Sequence, residues 1–409
     1  MRPLEEARAE VLGAVKLLGT EEITLWKASG RVLGADLIAP ESVPPFANSA
    51  MDGFAVRGED VSKPGRTLQI VGDLPAGSAP TVEVGSGEAV RIMTGAPMPV
   101  GADTVVKVED TDAANGTVRV LPIVAKGTAV RALGGDVAEG QLVFAQGTML
   151  TPMHIGVLAN LGISNPPVFR RPRVAFMSTG DELMAVDGGR LGPGMIRDSN
   201  RPMLKALLED AGAELMDMGI VPDDQVALRS ALDAGSQCDA IVTTGGVSMG
   251  DYDVTKLVLA DDAGVDFWKI AIQPAKPFAF GHIGASLFFG LPGNPVSALV
   301  SFEQFVRPAL LSMQGARHVL RPQVGAIAAE NLVSDPAKTV FLRVAITGRR
   351  EGIPIVAESG GQSSNVLTAA ADADAFAVVP AGVGTVAAGD HVTIELFRAP
   401  ASREYQNGK

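Results

Sequence analysis

The residues best placed for chemistry lie in two turns that each join an apolar run to a helical pattern. Thr243-Thr244-Gly245-Gly246-Val247-Ser248-Met249-Gly250-Asp251-Tyr252-Asp253 follows Ala240-Ile241-Val242 and precedes a helical pattern that ends near Asp262. A strand that feeds a glycine and hydroxyl loop, and then a helix, turns backbone N–H groups toward an anion. The loop therefore reads as a ligand cradle in which Gly245, Gly246 and Ser248 face the bound group. Leu291-Pro292-Gly293-Asn294-Pro295-Val296-Ser297 repeats the arrangement between the apolar run Leu287-Phe288-Phe289 and a helix expected to run to Leu311. Prolines fix the backbone there, and two such loops in one α/β unit imply one composite site.

Carboxylates in glycine-rich turns recur: Asp52 in Ser49-Ala50-Met51-Asp52-Gly53, Asp136 after Gly134-Gly135, Glu182 in Ser178-Thr179-Gly180-Asp181-Glu182, and Asp253. Each alone is ordinary turn chemistry; together they have the character of metal ligands. The hard oxygen set suits Mg2+. Zinc is disfavoured, because His154, His282, His318 and His391 are scattered without ligand spacing. Thr94, in Arg91-Ile92-Met93-Thr94-Gly95, reads by itself as a strand-end residue. No strand is followed by Gly-x-Gly-x-x-Gly, and the only Gly-Lys pair is Gly408-Lys409, so Rossmann and Walker readings fail. Gly246-Val247-Ser248-Met249-Gly250 satisfies the nucleophile-elbow pattern of α/β hydrolases, with Ser248 as nucleophile and a later histidine as base. The residues on both sides lengthen the loop beyond that elbow, which favours Ser248 as a ligand binder; the hydrolase stands as the alternative.

These loops need elements to hold them. From Val174 onward, apolar runs at Val174 to Met177, Glu214 to Met218, Ala240 to Val242, Trp268 to Ile272 and Ser286 to Phe289 alternate with helices starting near Pro202, Asp224, Val254 and Val296. Such alternation predicts a parallel sheet covered by helices, with ligands beyond the carboxyl ends of the strands. The fold class expected is multidomain α/β plus β. An α/β domain over 171–320 carries the site loops, a β-rich domain is inserted over 46–140, and a C-terminal β-barrel-like domain covers 321–409. An elongated, helix-containing domain is assembled from 1–45 and 141–170, on the expectation that a helix over 3–18 packs with the later segment. At 409 residues the chain exceeds a single core.

Composition narrows the partners. Lys plus Arg number 34 against 46 for Asp plus Glu, a net charge of −12, which argues against nucleic acid and anionic membranes. Any polyanionic ligand must be met locally, and Lys256 and Lys276 are the candidate cations. The single cysteine, Cys238, precedes an expected buried strand and reads as core packing. No uncharged run reaches the roughly 18 residues of a membrane span, and the N-terminus lacks the apolar stretch of a signal peptide, so a cytoplasmic location is expected.

Taken in order, Pro44-Pro45-Phe46, Asn48-Ser49-Ala50-Met51-Asp52-Gly53, Arg91-Ile92-Met93-Thr94-Gly95-Ala96, Ser178-Thr179-Gly180-Asp181-Glu182-Leu183, Asp198-Ser199-Asn200, the Gly245-to-Lys256 loop and Leu291-Pro292-Gly293-Asn294-Pro295 make a set that resembles the molybdopterin molybdenumtransferases. These are the molybdenum-insertion enzymes of cofactor biosynthesis, related to the E domain of gephyrin. The resemblance covers nearly the whole chain. It implies four domains and an elongated homodimer, with the site between the α/β domain of one subunit and the inserted domain of the other. It also implies a Mg2+-assisted reaction in which adenylylated molybdopterin loses AMP and its dithiolene receives molybdate as co-substrate, with the molybdopterin adenylyltransferase as partner. Carried over by position, Asp52, Thr94, Asp136, Glu182 and Asp253 are catalytic, and Asp52, Glu182 and Asp253 hold the metal. Gly245, Gly246, Ser248, Lys256, Lys276, Pro292, Asn294 and Pro295 bind the substrate, and Gln273, Lys276, Ser297, Arg343 and Ser364 meet molybdate.

Two departures leave a catalytically altered paralogue and a molybdopterin-binding or scaffold module open. Gly134-Gly135-Asp136 stands where the family usually has Gly-Glu-Asp, and Gln273-Pro274-Ala275-Lys276-Pro277 where it usually has Lys-Pro-Gly-Lys-Pro. A lysine restored at Gln273 is expected to lower the molybdate concentration needed for half-maximal rate.

Overall fold

The computed structural model describes residues 1–246, 258 and 264–397. The chain forms two compact units: 1–21 with 30–34 and 168–409, and 22–29 with 35–167.

The first unit is built on a six-stranded sheet in the order Glu214–Val221, Arg173–Thr179, Ala240–Thr244, Ser286–Leu291, Pro277–Ile283 and Val265–Lys269. The first four strands run parallel, as the βα alternation predicts. The last two are antiparallel additions, so the sheet is mixed rather than wholly parallel. Ile283 and Ser286 pair across a two-residue turn whose first residue, Gly284, has φ +60°, a conformation that glycine adopts without strain. The apolar run expected over Trp268 to Ile272 is divided: Val265–Lys269 ends this sheet, and Ile272–Gln273 pairs with the strand Thr339–Arg350 of a second sheet.

Both faces of the central strands are covered, which explains their continuous apolar character. Successive side chains point to opposite faces: Ala240 and Val242 join Phe176, Leu204 and Phe305 in one core, while Ile241 joins Met177 and Leu228 in the other. The helices Asn200–Asp210 and Gln225–Gly235 supply Leu204 and Leu228, respectively. The N-terminal helix is shorter than expected, Leu4–Gly13. Its Leu4, Ala7 and Val11 lie in the same core as Phe305 and Met313, so it docks on the α/β sheet. Residues 1–21 fall in the first unit and 35–167 in the second.

The C-terminal strands Gln323–Ala328, Thr339–Arg350, Ile353–Glu358, Ala375–Val379 and His391–Leu396 close into a five-strand barrel, since Thr339–Arg350 pairs with both Ile353–Glu358 and Ala375–Val379. A buried polar chain ties it to the α/β layer. Arg8 binds Glu5 and Gln304; Gln304 donates to Glu395 at 2.8 Å, and Gln323 donates to the other Glu395 oxygen at 2.9 Å. These bonds join helix, sheet and barrel, although Arg8 Nε has no partner among the described residues.

The second unit carries a six-stranded sheet ordered Thr104–Lys107, Gly53–Val56, Glu88–Ile92, Thr67–Leu74, Thr117–Val120 and Thr111–Ala114. Its cores are filled by short aliphatic side chains such as Val56, Val106 and Val118 on one face and Val90, Ile92 and Val105 on the other. The helix Pro152–Asn160 also belongs here, begun by a reciprocal cap between Thr151 and His154. Among the described residues no helix is long and apolar enough to cross a membrane.

Candidate functional site

Three parallel strands of the first unit end at one edge, and the turns beyond them line a cleft of about 680 Å3. Asn200 fastens two of these turns together: its Nδ2 donates to Thr244 Oγ1 at 2.8 Å and to the Gly293 carbonyl at 2.7 Å, while Thr244 Oγ1 donates to the Pro292 carbonyl at 3.1 Å. Gly245 N–H donates to the Leu291 carbonyl at 3.1 Å. Gly245 sits at φ +91°, and a Cβ there would come within 2.4 Å of the Thr179 carbonyl oxygen. The glycine is thus required twice, by backbone conformation and by the close approach of the neighbouring strand end.

The expected cradle residues Gly245, Gly246, Pro292, Asn294 and Pro295 all line this cleft, and so does Glu182. Its walls also hold Ser178 Oγ, Thr179 Oγ1 and Asn200 Oδ1, which are buried and have no hydrogen-bond partner among the described residues. Unsatisfied buried polar atoms are expensive unless a ligand meets them, so this set is suited to a polar guest. Ser248, Lys256 and Asp253 lie outside the described residues.

Asp223, which no motif in the sequence marks, lines the same cleft. Its N–H donates to Asp181 Oδ1 at 3.0 Å. Partial burial, with the negative charges of Asp181 and Glu182, pushes its carboxyl above the ordinary value. A carboxyl whose folded pKa is raised contributes stability that is full below the unfolded value of 3.8 and is lost as pH rises through the folded one. Asp223→Asn is therefore expected to raise the thermal midpoint at neutral pH and to lose that gain as the pH falls below the ordinary carboxylate range. Equal midpoints for the two chains at neutral pH would count against a destabilising Asp223 charge.

Beside this cleft lies a second one of about 790 Å3, sharing Pro277, Pro292, Asn294 and Asn365 with it. Gln273, Lys276, Ser297 and Ser364, four of the five residues expected to meet molybdate, line it. Asn294 Nδ2 donates to Ser364 Oγ at 2.9 Å, and Val296 N–H to the Ser364 carbonyl at 3.0 Å. The fifth, Arg343, is not among the residues that line it. It is fully buried. Its Nη2 donates to the carbonyls of Gly361 and Ser363 at 2.6 and 3.2 Å, so it holds the loop that carries Ser364. Burial lowers the pKa of its guanidinium, a shift opposed by the charge of Glu358.

Asp52, Thr94 and Asp136 belong to the second unit. Asp52 Oδ1 accepts both the Thr94 hydroxyl and the Thr94 N–H at 2.7 Å. Those two bonds, the hydroxyl's foremost, with a smaller contribution from Arg91, hold the exposed carboxyl below its ordinary value. Thr94 is thus more than a strand end: its N–H and hydroxyl both bind Asp52 Oδ1 and favour the ionised carboxyl. Asp136 is exposed in a turn joined to the Asp52 segment by the pairing of Val130 and Arg131 with Ser49 and Asn48. The expected metal set of Asp52, Glu182 and Asp253 is not assembled among the described residues. Asp52 and Glu182 fall in separate units, and no three His, Cys, Asp or Glu side chains there form a metal group.

Comparison with known proteins gives a consistent result along the chain. Residues 2–162 match the MoeA N-terminal region (domain I and II), 175–312 a probable molybdopterin binding domain, and 325–397 the MoeA C-terminal region (domain IV). A molybdopterin molybdenumtransferase of Haemophilus influenzae is 41% identical over 97% of this chain and 99% of its own. Molybdopterin molybdenumtransferase 2 of Mycobacterium tuberculosis is 39% identical over 96% and 99%. The crystal structure of a molybdopterin biosynthesis moeA protein from Pyrococcus horikoshii superposes with a TM-score of 0.85 at 29% identity, covering 97% of this chain and all of the other.

Proposed function

Since the chain belongs to the molybdopterin molybdenumtransferase family, enzymes of molybdenum cofactor biosynthesis, we propose that it hydrolyses adenylylated molybdopterin, releases AMP, and delivers molybdate to the dithiolene. The observation that carries this reading is the pair of adjoining clefts. One is rimmed by glycine turns and by hydroxyls with no partner among the described residues, and the other is lined by Lys276, Ser297 and Ser364 with no carboxylate among the described residues of its wall. The first suits a large polar substrate with phosphates, and the second a tetrahedral dianion beside it.

Ser178, Thr179 and Asn200 bind and orient the substrate's polar atoms, while Pro292 and Pro295 keep the wall rigid. Water attacks the adenylyl phosphorus of the pyrophosphate linkage and the P–O bond to the bridging oxygen breaks; AMP leaves carrying the water oxygen, the molybdopterin phosphate keeps the bridging oxygen, and the protons of water pass to the phosphates and solvent. The donors are oxygens, Asp52 stays ionised through Thr94, and Glu182 faces the cleft, a set that fits a hard cation kept partly by waters and substrate phosphates. Asp52, Glu182 and Asp253 would hold Mg2+, which supplies neutralisation of the charge developing on the phosphate oxygens.

Asp52, Thr94 and Asp136 are supplied to each site by the second subunit of a homodimer, and the substrate arrives from the molybdopterin adenylyltransferase. The reaction is placed in the cytoplasm, consistent with one buried free thiol, Cys238, and the acidic composition. Purified protein should release AMP from adenylylated molybdopterin only when Mg2+ and molybdate are both present. Tight binding of that substrate with no AMP above a buffer control would instead mark a binding or scaffold module.

A further inference from the structure

The molybdate-side cleft contains a cation that no sequence motif singles out. Asp335-Pro336-Ala337-Lys338 forms a turn in which Asp335 Oδ1 accepts the Ala337 N–H at 2.9 Å and Lys338 N–H donates to the Asp335 carbonyl at 3.1 Å. The long barrel strand starts at the next residue. Its parallel register, Ile272 with Thr339 and Gln273 with Val340, brings Lys338 alongside Gln273. Lys338 Nζ donates to Asp335 Oδ2 at 2.6 Å and to Gln273 Oε1 at 3.3 Å. An ammonium has three N–H groups, and these two acceptors engage two of them.

Lys338 lines the cleft together with Lys276, Ser297 and Ser364, whereas Asp335 does not. The buried Arg343 adds a second, independent source of positive potential, because it holds the 361–363 backbone from beneath, with Nε and Nη1 unpartnered among the described residues. Two lysines, hydroxyl groups and a wall with no carboxylate among the described residues favour an oxyanion.

We propose that Lys338 is an anion-binding residue of this cleft, acting with Lys276 on a tetrahedral dianion such as molybdate, and that Gln273 serves as its positioning residue. The inference rests on the molybdate reading of the cleft given above. It also redirects the expectation for position 273. A lysine there would face the Lys338 ammonium, so Gln273→Lys gains no affinity from a cation already present and loses the acceptor that orients it.

The test is molybdate binding to the full chain by calorimetry, with AMP release measured separately. Lys338→Met should weaken molybdate binding about tenfold, the effect of losing one charge-assisted contact. Its salt dependence should also be shallower than that of the wild type. Lys338→Arg, which keeps the charge, should stay within about threefold, and Gln273→Ala should fall between the two. The thermal midpoint of each variant should match the wild type, since Lys338 sits at a turn outside the cores. Molybdate affinity unchanged in Lys338→Met, or lost equally in Lys338→Arg, overturns the proposal. So does a Gln273→Lys chain that binds molybdate more tightly than the wild type. Failure of the wild type to release AMP while Lys338→Met still lowers molybdate affinity sinks the reaction and leaves the anion assignment standing.

Discussion

Gly245→Ala is expected to destabilise the first unit by about 2 to 5 kcal/mol, the sum of a left-handed backbone penalty and overpacking against a neighbour. Turnover should fall about a hundredfold, because a site displaced by around 1 Å loses that much. The two contributions can be separated. Gly389 has nearly the same backbone angle, φ +92°, yet a Cβ there meets nothing within 4 Å. Gly389→Ala therefore suffers only the backbone penalty of about 1 to 2 kcal/mol and should keep its activity. At Gly245 the added methyl must move the Thr179 carbonyl, and with it the strand end that carries Gly180 and Glu182. Urea midpoints and AMP release on both variants make the comparison. Equal midpoints, with activity retained in Gly245→Ala, would show that the close approach of Thr179 and Gly245 does not shape the cleft.

That approach was half legible in the sequence. A buried apolar run followed by Gly245-Gly246 announces a strand end and a turn, and the parallel register of Arg173–Thr179 with Ala240–Thr244 then brings Thr179 within reach. The link between Asp52 and Thr94 was not legible, because it crosses 42 residues and depends on pairing of Gly53 with Ile92 in an antiparallel sheet. Only that register sets the residues just beyond each strand side by side. Asp223 was hidden for a different reason. Pro222-Asp223-Asp224 reads as a helix start, and Asp224 does cap the helix by accepting the Ala227 N–H at 2.8 Å. Nothing local distinguishes the capping aspartate from the one facing the cleft. The strand Pro277–Ile283 escaped notice because it is buried along most of its length, so it lacks the alternation that marks a half-buried antiparallel strand. Arg343 shows the converse limit: a charged residue type suggests a surface, but burial depends on which barrel strands surround it.

Asp52→Asn and Glu182→Gln are each expected to lower AMP release by about a hundredfold to a thousandfold, the usual effect of removing one electrostatic contributor from a preorganised site. Neither change should disturb folding. Asp52 is exposed, and an asparagine amide oxygen can still accept both Thr94 bonds, so the thermal midpoint should stay close to that of the wild type. Glu182 is likewise exposed at the rim of its cleft. The informative experiment mixes the two. If each site draws Asp52 from one subunit and Glu182 from the other, a heterodimer of the two variants has one site with both defects and one with neither. In a symmetric dimer, co-expression at equal levels gives heterodimers as half the population, and so returns about a quarter of wild-type activity. If both residues act within one chain, every site in the mixture keeps a defect and activity stays at the level of the parents. AMP release from a heterodimer isolated through two different affinity tags reads the difference directly. A fully folded heterodimer no more active than Asp52→Asn alone would reject the shared site.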